Sequence, residues 1–413
     1  MTILQSRDAR VFWRQLLLAA GPGLVAMLAD TDAGSVITVA QSGAVWGYRL
    51  LLPNLLFIPF MFMAQELALR LGLGTGQGAA ELVLRHMGRA PAILLLVTLV
   101  VSCFGALVSE MSGLVGAGAA FGVPVWVTVG GTVTGLIIMV TTGSYRSVER
   151  IAIFLGLFEL AFFVIAWKAQ PDFAQVVHET KQLPLHDHDY LYLLAANLGT
   201  SVIPWALLYQ QSASVDKGLG PAQIKAARTE TLAGVVLCQL ITSAILIAAG
   251  ATFGSGGGGA PLETVEQIGM AFTATLGAAV GRVVFVLGLT GGALVATIVV
   301  CLTLAWAVGE VLGVRHSLEH HPRQAPWFYG ALALMLIAGG LVVASGINLV
   351  ALSVAAGVVN ALLLPVVLGF LYWLARTSLP EGSRLRGAYG MAVAIAFLVT
   401  GGVALYSGLL GAL

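Results

Sequence analysis

Ala29-Asp30-Thr31-Asp32-Ala33-Gly34-Ser35 places two carboxylates in the middle of an apolar run that covers residues 15–43. A charge at the centre of a membrane helix costs about 2.5–3.5 kcal/mol even on a lenient insertion scale. Gly34 and the short polar residues weaken a helix further. The stretch therefore reads as an interruption, and an unwound segment frees backbone carbonyls, which are hard oxygen ligands. On a continuous helix Asp30 and Asp32 would point about 200° apart. With the segment unwound, one is expected to bind substrate and the other to face a water path or pair elsewhere.

A second stretch, Gly199-Thr200-Ser201-Val202-Ile203-Pro204-Trp205, has the same character. Pro204 lacks an amide donor and clashes with the preceding turn. One proline kink in a membrane helix means little. Breaks in the first and sixth spans mean more, because they occupy corresponding positions of two five-helix halves. That is the pattern of inverted repeats around a binding site at the bilayer midplane.

Outward from these stretches the chain is apolar almost throughout. Of 413 residues 58% are hydrophobic and 9% charged, where a soluble domain carries roughly a quarter charged residues. Runs of about 20 apolar residues predict eleven spans, at 15–43, 50–72, 91–119, 123–143, 147–168, 190–213, 230–253, 272–312, 325–345, 347–375 and 386–409. The whole chain, 1–413, reads as one transmembrane domain, with 15–168 as the first five-helix repeat, 190–375 as the second and 386–409 as an extra span. Alternating the loops puts 16 of the 20 Lys and Arg on one side, Arg7, Arg10 and Arg14 among them. Arg49, Lys168, Lys181 and Arg282 fall on the other. By the positive-inside rule the N-terminus is cytoplasmic and the C-terminus outside, in the cell (inner) membrane. The first apolar run is too long for a cleavable signal. A net charge of +1 argues against nucleic acid. The partners implied are a bilayer and a small solute, with the chain a monomer.

Of the longer loops, residues 254–259 read as a flexible Gly-Ser linker. Residues 169–189 end in His186-Asp187-His188-Asp189, a solvated loop with a helix cap at Asp189 rather than a metal trap. All seven histidines lie in loops or at span ends, and the three cysteines are unclustered. An intramembrane His relay, a disulfide framework and a zinc site are therefore not expected. Glu110, among small residues of the third span, reads either as a proton carrier or as an interhelical hydrogen-bonded carboxyl. Gln65 offers amide oxygen and nitrogen in the second span, and Glu66 has Arg70 one turn on as an ion-pair partner. Glu159 and Glu310 read as structural. No nucleophile–base pair or cofactor motif appears, so an enzyme is not expected.

At these residues the chain resembles the Nramp family of divalent metal transporters. Gly21-Pro22-Gly23, Gly34, Gln41-Ser42-Gly43 and Trp46-Gly47-Tyr48 are similar to its first-span pattern. Leu71-Gly72 through Thr75-Gly76, Arg146-Ser147-Val148-Glu149-Arg150, and Pro204 with Ser212-Ala213 resemble its second, fifth and sixth spans. The resemblance implies an all-α LeuT-type fold with broken helices 1 and 6, and a secondary transporter that moves divalent cations by alternating access. No resident cofactor is implied, since the cation is cargo. Residue by residue it puts Asp32 on the metal-binding aspartate, Gln65 on a glutamine near the site and Glu110 on a glutamate of the proton route. The carbonyls of Ala29 and Thr200 fall where backbone ligands occur.

The departures carry physical content. Where the family has Asp-Pro-Gly-Asn this chain has Asp32-Ala33-Gly34-Ser35, and where it has Met-Pro-His this chain has Ile203-Pro204-Trp205. Ser35 is a shorter oxygen ligand, Ile203 cannot ligate and Trp205 cannot carry a proton. Losing a thioether leaves an all-oxygen site suited to hard ions, and shorter side chains leave room for an ion that keeps part of its water, as magnesium does. The resemblance is thus closer to the family's magnesium-transporting branch, with Mg2+ and Mn2+ favoured and proton coupling weakened. Asp30 is extra. Two other readings compete: a carrier of a small organic solute on the same fold, and a non-transporting receptor or scaffold.

Overall fold

The computed structural model describes residues 21–142, 145–254, 259–318 and 320–411, without the side chains of 145, 146, 271, 272, 274 and 275. Arg7, Arg10, Arg14, the first residues of the 15–43 run and most of the 254–259 linker lie outside the described residues. Among the described residues every regular element is helical. Ten helices among the described residues are long and apolar enough to cross a membrane, and an eleventh span forms if the pair Pro22–Asp30 and Ala33–Trp46, bent by 43°, counts as one.

The observed spans follow the expected ones with shifted ends. Spans two to five are Leu51–Thr75, Arg89–Ala119, Val125–Thr142 and Ser147–Lys168; spans six to eleven are His188–Asp216, Pro221–Phe253, Ala278–Leu312, Pro326–Val343, Leu349–Thr377 and Gly387–Gly411. Span eight starts later than the apolar run at 272 suggested, because a separate helix, Val265–Leu276, precedes it and Gly277 breaks the two apart at φ 85°. Two further short helices, Ala79–Met87 and Phe173–Glu179, lie in loops. The cap expected at Asp189 is a correction: the helix begins at His188, so Asp187 is the N-cap and its carboxylate accepts the Tyr190 amide at 3.0 Å. The expected Glu66–Arg70 pair is present at 2.6 Å, joined by Arg228 at 3.2 Å.

The first and sixth spans occupy the centre. Span six is 94% buried along its apolar window, whereas span four is 17% buried and faces outward. The second half of span one packs on span seven, span three on span eight, and the first half of span six on span ten. That last contact is a backbone-to-backbone approach at Gly199: a Cβ there would run into the Gly357 carbonyl and the Ala361 amide nitrogen. Neither obstacle is a flexible side chain, so Gly199→Ala is an overpacking change of about 1–3 kcal/mol. The purified variant is expected to unfold about 3 °C or more below the parent; an unshifted thermal midpoint would mean the helices are not this close.

Candidate metal site

The first span stops at Asp30 because the chain turns out of helix at Thr31 and Asp32, and Asp32 takes an extended conformation, φ −73° and ψ 175°. From there Asp32 caps the second half: its Oδ1 accepts the Ser35 amide at 2.5 Å. Glu110 of span three does the same from the side, its Oε2 accepting the Ala33 amide at 2.9 Å. Two carboxylates thus satisfy the orphan donors at the positive end of a half-helix, where negative charge is favoured.

The break frees acceptors as well as donors. Within a helix the carbonyl of Thr200 would accept from residue 204, and Pro204 has no N–H. The Thr200 carbonyl is instead approached by Ser35 Oγ at 3.2 Å, and the same hydroxyl lies 2.7 Å from the Asp30 carbonyl. Ser35 therefore ties the two breaks together. Asp32, Ser35 and Thr200 are 3%, 1% and 6% exposed, so the site is shut off from bulk solvent. Two carboxylates, two carbonyls and a hydroxyl make an oxygen-only set. Among the described residues no three His, Cys, Asp or Glu side chains converge as a metal cluster, so a bound ion would rely on backbone and hydroxyl oxygens.

The other residues singled out in the sequence have different surroundings. The carbonyl that meets Ser35 belongs to Asp30; Ala29, one residue earlier, is fully buried in the last turn of the half-helix. Ile203 is 1% exposed and stands at the N-cap position of the second half of span six, with Pro204 at its first turn. Trp205 and Gln65 are buried, and Trp205 Nε1 and Gln65 Oε1 have no hydrogen-bond partner among the described residues. Both carboxylate oxygens of Asp30 are likewise unpartnered. Glu159 was missed as a polar centre near the break. It is fully buried, its oxygens have no hydrogen-bond partner within reach among the described residues, and Gly292 of span eight lies against both its Oε1 and the Thr31 carbonyl.

A cavity of about 470 Å³ opens beside the second half of span six, lined by Ser212, Asp216, Trp306, Glu310 and His316. Another, of about 370 Å³, opens beside the second half of span one, lined by Gln41, Val45, Tyr192 and Leu262. Glu310, read as structural from the sequence, accepts the Ala80 amide at 2.9 Å and the Ser212 hydroxyl at 2.9 Å. It thus clamps a loop helix to span six.

Two interrupted spans that meet through one serine at the centre of a helical bundle define a membrane transporter of the LeuT type. The family profile described as natural resistance-associated macrophage protein-like (Nramp) matches residues 23–409, and the chain belongs to that family. A protein of Acidiphilium cryptum named divalent metal cation transporter MntH is 25% identical over 400 residues, covering 93% of this chain and 88% of its own. The structure of the Eremococcus coleocola manganese transporter matches with a TM-score of 0.74 at 16% identity, over 95% of this chain and 86% of that one. MhsT, solved with L-phenylalanine, matches with a TM-score of 0.64 at 14% identity, over 95% and 98%. The two solved structures share the helical fold of this chain at low sequence identity.

Proposed function

We propose that this chain carries divalent metal ions across the membrane by alternating access, with Mg2+ and Mn2+ as preferred cargo. The observation that carries the reading is the convergence of Asp32, Ser35 and the Asp30 and Thr200 carbonyls at the meeting point of the two breaks. Every group there is a hard oxygen, and Ile203 stands where the family supplies a sulfur. Hard oxygens suit magnesium, calcium and manganese rather than softer ions, and Mg2+ keeps several waters, which a site with few charged ligands permits. In this reading the Ala29 carbonyl is a further backbone ligand, and Gln65, Glu110 and Trp205 line the route. The chain acts as a monomer, with its N-terminus cytoplasmic, its C-terminus outside and the cation as cargo rather than cofactor. It is no enzyme.

Uptake into proteoliposomes, comparing Mg2+, Mn2+ and Ca2+ with a pH dye inside, tests this. Saturable uptake of Mg2+ and Mn2+ above protein-free vesicles is the expected result. Vesicles that take up none of the three would remove the metal reading and leave a small organic solute as the better cargo.

A further inference from the structure

Spans ten and eleven part along one stretch of their length. Pro365 lies inside span ten, and a proline there kinks a helix. Span eleven approaches it through Gly401, where a Cβ would lie 3.5 Å from the Pro365 ring. Beside this contact the two helices leave a cavity of about 450 Å³. Its wall on span ten runs from Pro365 to Tyr372, and on span eleven from Ala394 to Leu405. Gly369 and Gly402 stand in the two walls and are exposed, and a Cβ on either would meet nothing within 4 Å. Glycine in a membrane helix commonly admits a neighbouring helix, and here the space in front of both is open. Leu398, 76% exposed, marks the open side, which a bilayer would cover.

The dimensions of the groove point to a single acyl chain. The wall from Ala394 to Leu405 is about 16 Å of helix, against about 15 Å for the hydrocarbon of one leaflet. The volume falls inside the roughly 300–1,000 Å³ range of small-ligand pockets. Apart from the Tyr372 hydroxyl every side chain in the lining is apolar, so the groove itself offers a polar solute almost nothing.

One end of the groove is charged. Tyr372 closes it, its ring set edge-on to Phe397 with centroids 6.5 Å apart. Arg376, one turn further along the same face, holds its guanidinium 5.8 Å from the Tyr372 ring centroid and its Nη1 3.5 Å from the hydroxyl. Among the described residues it has no carboxylate within ion-pair distance. The loop that follows adds Arg384 and Arg386 against Glu381. A guanidinium matches the geometry of a phosphate, and basic residues at a pocket between membrane helices favour a lipid headgroup of net negative charge. A second copy of this chain fits less well. A two-fold dimer pairs the same face of each copy, which would bring two Arg376 guanidinium groups to one depth.

We propose that the groove between spans ten and eleven holds one anionic phospholipid, with an acyl chain lying along Gly369 and Gly402 and its phosphate on Arg376. The site is independent of the cargo proposed above; only the leaflet that supplies the lipid follows from the proposed orientation. The test titrates the purified chain in detergent with dioleoyl phosphatidylglycerol or dioleoyl phosphatidylcholine. Bound lipids are counted by native mass spectrometry and thermal unfolding is followed in parallel. The parent is expected to bind one phosphatidylglycerol at least fivefold more tightly than phosphatidylcholine. Phosphatidylglycerol is also expected to raise its Tm by about 2 °C or more, as a ligand of the folded state does. Arg376→Gln is expected to bring the two lipids within about twofold of each other. Gly402→Leu puts a side chain into the groove, where its Cβ meets no neighbour, and leucine is the better helix former. It is expected to weaken phosphatidylglycerol at least tenfold while the lipid-free Tm stays within about 2 °C of the parent's. Gly369→Leu fills the opposite wall and serves if the first filled variant does not fold. Equal binding of the two lipids by the parent, an undiminished preference in Arg376→Gln, or parental binding in both filled variants overturns the proposal. So does a lipid-free dimer of the parent that Gly402→Leu dissociates, which would assign the groove to a second copy.

Discussion

Asp32→Ala is expected to abolish metal uptake, a loss of about 100-fold or more in metal affinity. Changing residues that merely orient ligands costs 10–100-fold, and Asp32 is placed as a ligand itself. The same side chain also caps the second half of span one through the Ser35 amide, so the alanine variant loses a cap worth about 0.5–2 kcal/mol. That is a small part of a typical stability of roughly 5–15 kcal/mol. Asp32→Asn separates the two roles, since asparagine caps as well as aspartate but brings no charge. Uptake assays of both, beside elution profiles that check folding, are expected to show well-folded proteins without transport. Normal uptake by Asp32→Asn would remove the site. Asp30→Ala is expected to weaken metal binding less than Asp32→Ala does, because Asp30 meets Ser35 through its carbonyl, which the substitution keeps. If metal affinity falls over tenfold further in Asp30→Ala than in Asp32→Ala, the wrong carboxylate has been assigned.

The second large effect concerns selectivity. Ile203 is buried at the start of the second half of span six, where its backbone is extended and the Thr200 carbonyl, three residues back, meets the Ser35 hydroxyl. Ile203→Met nearly conserves volume and should cost less than about 1.5 kcal/mol in stability. A thioether there adds ligand strength only for softer ions. Competition binding is expected to show Cd2+, and Mn2+ as the softer of the two preferred ions, gaining on Mg2+ by about tenfold, equivalent to about 1.4 kcal/mol. Ser35→Asn is expected to add to the effect by restoring a longer oxygen ligand, although it must displace the hydroxyl contacts to Asp30 and Thr200. A double variant that binds every divalent ion as the parent does would show that residue 203 does not face the cargo.

Both breaks were legible because each violates a strong rule: carboxylates do not sit in a bilayer without cause, and proline does not continue a helix. The breaks are shorter than the polar stretches suggested, two residues each, Thr31–Asp32 and Val202–Ile203. Capping explains this, since Asp32, Glu110 and Pro204 restart the helices at once. The loop helices escaped because Ala79–Met87 and Phe173–Glu179 are too short to give an apolar run of span length. The cap at Asp187 rather than Asp189 could not be chosen from His186-Asp187-His188-Asp189, where either acid is a good cap. Glu159 was unreadable for a different reason. Its own neighbours, Leu157, Phe158 and Leu160, contain no glycine, proline or hydroxyl to mark an irregular site. What makes it unusual arrives from Thr31 and Gly292, more than a hundred residues away in either direction. Glu310 is alike, its partners Ala80 and Ser212 lying on distant elements.

The most direct measurement is anomalous diffraction from crystals of the chain soaked in Mn2+. A single strong peak is expected within about 2–2.5 Å of an Asp32 carboxylate oxygen, bounded by Ser35 Oγ and the Asp30 and Thr200 carbonyls, and absent from Asp32→Asn crystals treated alike. A peak only in the cavity beside Glu310 and His316, or a peak at the breaks that survives Asp32→Asn, would contradict it.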